Sequence, residues 1–426
     1  MRISQKLRAR KKPIHVAIIG SGWFGSGLAK QLYKTPGIIP KVLIDRNLDK
    51  AAATYLELGL KKENIIRIHN PGKLNLAQDP KKFIVCTDLD LIKELENIDV
   101  VYEATGDVLG GAQAAINSIE KGIDFVTVNS EMDATVGLQL ANLAKEKGVI
   151  YSGSDGDQPG VLARMLDEVI FKGFEPKIIG NCKEFFDQYQ TPEGIKPFIP
   201  KEMNAVKACS YTDGSKQSSE LAILGNAFGY YPFKRGMYGP ETSKRNLINT
   251  FLSLVDLGAI EGGCIEYTRG TTEINQGGPV FIVAYNNDAV VRANMKWLKK
   301  GEGPYYLFFR DYHLGFVEAA SSIAEVTLFH TPTFAPKGRY VDVITIAKRN
   351  IMPGQRLDGI GGYDCFGVVE RADIADKENL LPIGLAEAAT VREAIPQNTP
   401  ITYSMVELSD NLVVKLRREQ DQLSLP

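Results

Sequence analysis

From residue 14 to residue 155 the chain alternates short apolar runs with stretches of helical periodicity. Ile14 to Gly20, Lys41 to Asp45, Ile84 to Thr87, Asp99 to Ala104, Phe125 to Asn129 and Val149 to Ser152 read as strands. Their apolar residues are contiguous rather than alternating, which suits a parallel sheet covered on both faces. Between them, Val136, Leu140, Leu143 and Ala144 form one helical stripe, with Asp133 at the expected N-cap and Gly148 as the stop. Strands alternating with helices build right-handed βαβ units.

Gln158-Pro159-Gly160 opens a further helix, with Pro159 at a first position and Leu162, Leu166, Val169 and Ile170 on its apolar face. Beyond about residue 175 the alternation breaks down. Strand-like runs such as Val280 to Tyr285 and Tyr305 to Phe309 mix with helical ones such as Asn246 to Leu257, which predicts an α+β region. From about Tyr340 the runs shorten, and Pro353-Gly354 and Gly361-Gly362 punctuate them. The expected fold class is α/β, with a parallel-sheet domain over 1–155, an α+β domain over 156–339 and a small, mostly β domain and tail over 340–426.

The candidate chemistry starts at the end of the first strand. Gly20-Ser21-Gly22-Trp23-Phe24-Gly25 has the spacing GxGxxG, directly after an apolar strand and ahead of the helical stretch Leu28 to Tyr33. That context makes it a dinucleotide-binding (Rossmann) fingerprint. Gly20 permits the tight turn, Gly22 admits a pyrophosphate, and Gly25 lets helix and strand pack closely. The helix N-terminus offers N–H groups and partial positive charge to phosphates. Asp45 ends the second strand where a ribose-binding acid belongs, which favours NAD, while Arg46 suits the 2′-phosphate of NADP. Both cofactors stay open. Thr105, Gly106 and Asn129 follow later strand ends and are expected near the nicotinamide ribose, the plain alternative being ordinary loop residues.

Composition narrows the class without changing it. Of 426 residues, 44% are apolar and 24% charged, with net charge -1, so bulk electrostatics point to neither a nucleic-acid nor a membrane partner. The basic cluster Arg2, Lys6, Arg8, Arg10, Lys11 and Lys12 has no apolar run after it and reads as a solvated helix rather than a signal peptide. Cys86, Cys182, Cys209, Cys264 and Cys365 are isolated, and none shares a metal-ligand spacing. Reduced thiols in a cytoplasmic protein, without disulfides or zinc, are expected.

The N-terminal half resembles the homoserine-dehydrogenase-like oxidoreductases, and the whole chain resembles a subgroup of them with a C-terminal SAF-type domain. The resemblance is carried by Gly20 to Gly25, Glu103 to Asp107, Val128 to Asp133, Ser154 to Pro159, Tyr211 to Lys216, Asp311 to Leu314 and Leu357 to Gly362. One branch is the 1-deoxy-D-xylulose 5-phosphate reductoisomerase-like enzymes, which use NADPH. The resemblance implies an NAD(P)-dependent reductase or dehydrogenase, a small polar hydroxy-carbonyl substrate (phosphorylated or not) and a homo-oligomer. Homoserine dehydrogenases carry a lysine where this chain has Ser130 and then Glu131. Their substrate helix has an aspartate followed four residues on by a lysine, where this chain has Lys216 and Glu220, the charges reversed. Both departures speak against homoserine.

Carbonyl reduction needs a proton donor beside the oxygen. Lys183, expected at a strand end, and Lys216, expected in the first turn of a helix capped by Asp213, are candidates, with Glu220 four residues on from Lys216. A surface ion pair is the plain alternative for Lys216 and Glu220. His313, after the strand Tyr305 to Phe309, is the best placed of four histidines, and a structural hydrogen bond is its alternative. Arg310 and Asp187 are the candidate substrate contacts. Asp155 and Asp157 lie where they cap the helix opened by Pro159, so no metal site is expected from the cluster Asp155, Asp157 and Asp187. A nucleotide-binding scaffold without turnover is the reading from another functional class.

Overall fold

The structure is a computed structural model that describes residues 3–69, 81–201, 203–260, 262–269 and 278–426. In chain order the elements are α1 (Ile3–Ala9), β1 (Ile14–Ile19), α2 (Trp23–Lys34), β2 (Ile38–Ile44), α3 (Leu48–Glu57), β3 (Ile65–Ile68), β4 (Phe83–Cys86), α4 (Leu91–Glu94), β5 (Val100–Glu103), α5 (Val108–Lys121), β6 (Asp124–Thr127), α6 (Ser130–Lys147), β7 (Tyr151–Gly153) and α7 (Gln158–Phe171). There follow β8 (Glu175–Lys183), α8 (Pro192–Ile195), α9 (Ala205–Thr212), α10 (Ser215–Phe228), β9 (Tyr231–Pro232), α11 (Leu247–Leu254), β10 (Cys264–Arg269), β11 (Val280–Tyr285), α12 (Ala289–Trp297), β12 (Tyr305–Arg310) and α13 (Ala320–Phe329). The C-terminal segment holds β13 (Val341–Ala347), β14 (Cys365–Arg371), α14 (Ala372–Lys377), β15 (Ala389–Val391), β16 (Val406–Leu408) and α15 (Leu412–Asp421). These form two compact units. The first comprises residues 1–132, 136–160 and 314–335, and the second 133–135, 161–313 and 336–426.

The first unit is built on a parallel sheet in the order β3-β4-β2-β1-β5-β6-β7. Its central strands are apolar on both faces. Ile14, Val16, Ile18 and Val100 lie in one buried cluster with Leu28, Leu32 and Ile323. Each such side chain contributes about 1.5–3 kcal/mol by leaving water. The register sets Ile19 level with Ile44 and Glu103, and Glu103 level with Thr127. Gly20, Asp45, Ala104 and Val128 therefore leave the sheet along one edge.

Two sequence expectations need correction here. The edge strand β3 was not expected, because Ile65-Ile66-Arg67-Ile68 is short and mostly half-buried or exposed. Helix α6 begins at Ser130, and its cap is Asn129, whose side chain accepts the Met132 N–H at 3.1 Å. Asp133 instead lies inside the helix, where burial pushes its carboxyl up to about 7. The apolar stripe starts only at Val136, so it did not reveal the first turn.

In the second unit β12-β11-β8-β10-β9 form a mixed sheet in which β8, β10 and β9 run parallel and β11 opposes both its neighbours. Phe281, Val283 and Ile178 pack with Leu247 and Phe251 on one face. Helix α10 is almost wholly enclosed, with twelve of its fourteen residues buried. Its Ser215 Oγ accepts the Gly367 N–H at 2.9 Å, and Ser218 Oγ donates to the Gly367 carbonyl at 3.0 Å. Asn226 Oδ1 accepts the N–H groups of Tyr340 and Val341. Through these contacts residues 340–426 share a unit with residues 161–313.

The C-terminal helix α15 is fixed by buried charge. Arg417 makes two hydrogen bonds to Asp342, at 2.7 and 2.9 Å, and donates to the Thr135 carbonyl. Arg339 also bonds Asp342. Burial alone raises the Asp342 carboxyl, but the two guanidiniums more than offset it and hold it below the usual range. An unfolded aspartate titrates near ~3.9, so this contribution is present above about pH 4 and lost as pH falls through the lower folded value. Asp342→Asn leaves two buried cations short of a partner. It should cost about 3 kcal/mol at pH 7 by chemical denaturation, with the gap from the unsubstituted protein narrowing as pH falls below ~4.

Candidate active site

The glycine loop takes the shape its spacing predicts. Gly20 has φ +93°, a backbone region open to glycine. A Cβ on Gly25 would sit well inside contact distance of the Gly20 carbonyl oxygen, so α2 lies against the strand it follows only because residue 25 has no side chain. A Cβ on Gly22 meets nothing within 4 Å. Gly22 is the N-cap residue of α2, and no side chain caps that end. Asp45 accepts the Ser21 N–H at 2.6 Å and the Asn47 N–H at 2.8 Å, tying the loop to the end of β2. Among the described residues Ser21 Oγ is buried with no hydrogen-bond partner. Bare backbone, an uncapped helix start and an orphaned hydroxyl fit a phosphate group. A cavity of about 490 Å³ opens beside the loop, lined among others by Ser21, Gly22, Trp23, Lys30 and Lys50. Arg46 projects outward with its side chain 93% exposed, 4.0 Å from Asp107.

The next strand ends are organised by Glu103. Its carboxylate accepts the Thr105 N–H at 2.7 Å, the Thr105 hydroxyl and the Thr127 hydroxyl. Burial raises its pKa against those bonds. Asn129 Nδ2 donates to the Asp107 carbonyl at 2.9 Å. Thr105 and Asn129 thus belong to one network at the edge where Gly20 and Asp45 also emerge, and Gly106, at φ +64°, forms the turn between Thr105 and Asp107. Thr105 and Asn129 were expected from the sequence, whereas Glu103 as the hub was not. The signal was a glutamate inside an otherwise apolar strand.

In the second unit Lys183 ends β8, level with Arg269 at the end of β10. Glu220 lies between two lysines. Its Oε2 is 3.5 Å from Lys183 Nζ, and its Oε1 is 3.7 Å from Lys216 Nζ. Asn181 Nδ2 reaches the same carboxylate at 3.4 Å. Asn181 was missed in the sequence, although its position two residues before Lys183 puts both on one face of the strand. The surface-pair alternative for Lys216 and Glu220 is overturned, since their side chains are only 12% and 5% exposed. The cap of α10 is also corrected. The N-cap position is Gly214, at φ +91°, though Asp213 still accepts the Ser215 N–H at 2.9 Å. Asp213 is held in turn by the buried Lys348 at 2.9 Å.

His313 Nδ1 is 3.0 Å from the Gly278 carbonyl. Val280 pairs with Arg310 on one side and Asn181 on the other. Arg310 and Lys183 thus leave the same end of this sheet, two strands apart, or about 10 Å. The Arg310 guanidinium lies 5.0 Å from the Tyr312 ring. Asp187 turns its carboxylate to the Tyr189 N–H and takes the Thr212 carbonyl with its own N–H, so its visible role is to shape the loop beside the α9–α10 junction. Asp157 accepts the Gln158 N–H at 3.0 Å, and Asp155 accepts from Gly156 N–H and Ser321 Oγ. Among the described residues no three His, Cys, Asp or Glu side chains gather as a metal would require.

Residues 156–319 match the family model of the catalytic domain of oxidoreductase DRL. No curated protein matches the chain. Among solved structures it is similar to GenD2 from gentamicin A biosynthesis in complex with NAD, at 12% identity, 75% of this chain, 88% of that one and TM-score 0.39. It is similar also to a probable dehydrogenase from Thermotoga maritima, at 10% identity, 75% and 90% coverage and TM-score 0.44. A third is myo-inositol 2-dehydrogenase from Lactobacillus plantarum, at 13% identity, 65% and 75% coverage and TM-score 0.39. At such scores the likeness carries no argument about this chain. Residues 156–319 are thus similar to an oxidoreductase catalytic domain, and they follow in sequence a parallel sheet that carries the glycine loop.

The two glycines give opposite predictions. Gly25→Ala drives a methyl into backbone and should lower the melting temperature by several degrees, about 1–3 kcal/mol. Gly22→Ala should leave it within about a degree in the absence of cofactor. Differential scanning fluorimetry separates them, and equal losses would contradict the packing described.

Proposed function

We propose that the chain is an NAD(P)-dependent dehydrogenase or reductase acting on a small polar hydroxy-carbonyl compound. The observation that carries it is the buried Lys183–Glu220–Lys216 group, in the segment similar to an oxidoreductase catalytic domain. NAD(P) supplies or accepts the hydride. The Gly20 to Gly25 loop binds the pyrophosphate through backbone N–H groups, and Asp45 orders that loop. Thr105, Gly106 and Asn129 line the nicotinamide end. Lys183 and Lys216 hold substrate oxygens, with Glu220 setting the position and charge of both. His313, fixed through Nδ1, offers its other ring nitrogen for proton transfer at the carbonyl oxygen. Arg310 takes an anionic group of the substrate. These roles require Lys183, Lys216 and His313 to face one substrate, within ~10 Å of its reacting carbon. The sequence resemblance favours reductoisomerase-like chemistry over homoserine oxidation, since Ser130 and the Lys216/Glu220 order depart from the latter.

The test joins binding to turnover. Gly22→Val should lower NAD(P) affinity at least tenfold by calorimetry, roughly 1.4 kcal/mol, with the fold retained. With a substrate found by screening hydroxy acids and sugar phosphates for a change in nicotinamide absorbance, Lys216→Ala and His313→Ala should each reduce turnover ~100-fold, His313→Ala with little change in melting temperature. Cofactor binding without turnover of any such compound would favour the scaffold reading.

A further inference from the structure

Strand β10 ends at Arg269, which is paired in register with Lys183 at the end of β8. Paired residues on neighbouring strands point to the same face, one strand spacing of about 5 Å apart. Arg269 therefore stands on the side of the sheet where Lys183 meets Glu220. Glu266, three positions earlier in β10, points to the opposite face. Its carboxylate is taken up there by the N–H groups of Tyr238, Gly239 and Tyr267, so it does not neutralise Arg269.

The Arg269 guanidinium is fixed on its inner side. Its Nε donates to the Gly239 carbonyl at 2.7 Å, and its Cζ lies 5.8 Å from the centre of the Phe186 ring. Phe186 is fixed in turn. Its ring is 5.5 Å from that of Tyr267, and a Cβ on Gly214 would come within 2.8 Å of it. Gly214 is the N-cap residue of α10, two positions before Lys216. The Phe186 ring thus connects Arg269 to the start of the helix that carries Lys216. With Nε engaged, the two Nη groups remain, and among the described residues no carboxylate pairs with them. Glu220 is already shared by Lys183 and Lys216, both largely enclosed, whereas Arg269 is exposed. Three cations here face one carboxylate. An arginine on open surface loses side-chain freedom when it binds, but this one is ordered beforehand, with its fork facing outward.

We infer that Arg269 is a specificity-determining residue whose two Nη groups take an anionic group of the substrate, a phosphate or a carboxylate, as a bidentate fork. It is a second anchor besides Arg310, from the other side of Lys183. The inference rests on the dehydrogenase or reductase reading of this site and narrows its substrate to an anionic hydroxy-carbonyl compound.

The test is calorimetric titration of the full chain with dihydroxyacetone, dihydroxyacetone phosphate and hydroxypyruvate, with oxidised NAD and NADP present so that no carbonyl is reduced. The three compounds share a hydroxyketone and differ at one end, which is neutral, a phosphate or a carboxylate. At least one of the two anions should bind ~10-fold or more tightly than dihydroxyacetone, and the preferred one shows which anionic group the site takes. Arg269→Ala should remove that preference. Arg269→Lys keeps the charge and the stem over Phe186 but not the fork, and should restore only part of it. Neither change should shift the affinity for NADH or NADPH. If Arg269 only held the Gly239 turn, neutral and anionic compounds would weaken together and the preference would survive. No preference for either anion, or a preference that survives Arg269→Ala, would overturn the inference. Hydride transfer with a neutral compound, untouched by Arg269→Ala, would overturn it and leave the dehydrogenase reading in place. An anion preference that depends on Arg269, without hydride transfer to any compound screened, would leave the anion site standing and overturn the dehydrogenase reading.

Discussion

Parallel strands deliver all their C-terminal ends to one edge, and that constraint organises this molecule. In the first unit the strands run one way, so four successive strand exits release Gly20, Asp45, Ala104 and Val128 along a single line. The N–H groups of these four residues still pair with neighbouring strands, whereas N–H groups just beyond them are satisfied by side chains. Asp45 does so for Ser21 and Asn47, and Glu103 does so for Thr105. The polar residues at the edge are thus first a consequence of strand direction, and a binding surface second. The mixed sheet of the second unit repeats the device with β8 and β10, whose ends present Lys183 and Arg269.

The energetics separate the two edges. At the glycine loop the determining quantity is steric. Gly25 trades a side chain for close packing of α2 on the sheet, while Gly22 leaves open space where a ligand can lie. At the Lys183 end it is electrostatic. A carboxylate as enclosed as that of Glu220 keeps its charge only beside cations, and both neighbours are lysines drawn from a strand end and from its own helix. Burial of α10 on nearly every side makes this arrangement rigid. The α9–α10 junction is fixed by Asp213, itself paired with Lys348, which also donates to the carbonyls of Gln190 and Gly362.

Much of this was legible in the sequence where a local rule had a local cause. Contiguous apolar runs located six of the seven strands of the first sheet, and glycine spacing located the turn. What escaped depended on contacts between distant residues. Asp133 looked like a cap because Asp often is one, but Asn129 stood nearer the strand end and took the position. For Lys216 and Glu220 a surface pair stayed open as the alternative to a catalytic role, because i,i+4 spacing is common on exposed helices and nothing local reveals that α10 packs against β13 and β14. Strand β3 was too short and too exposed to leave an apolar signature. The joining of residues 340–426 to the second unit depends on Ser215, Ser218 and Asn226, polar residues whose partners lie more than a hundred positions away.

A dinucleotide site at the glycine loop is tested most directly by titration of the unsubstituted chain with NADH and with NADPH, followed by nicotinamide fluorescence. Saturable, one-to-one binding of at least one of the two is the predicted result. A chain that is folded by circular dichroism yet binds neither at millimolar concentration would contradict it.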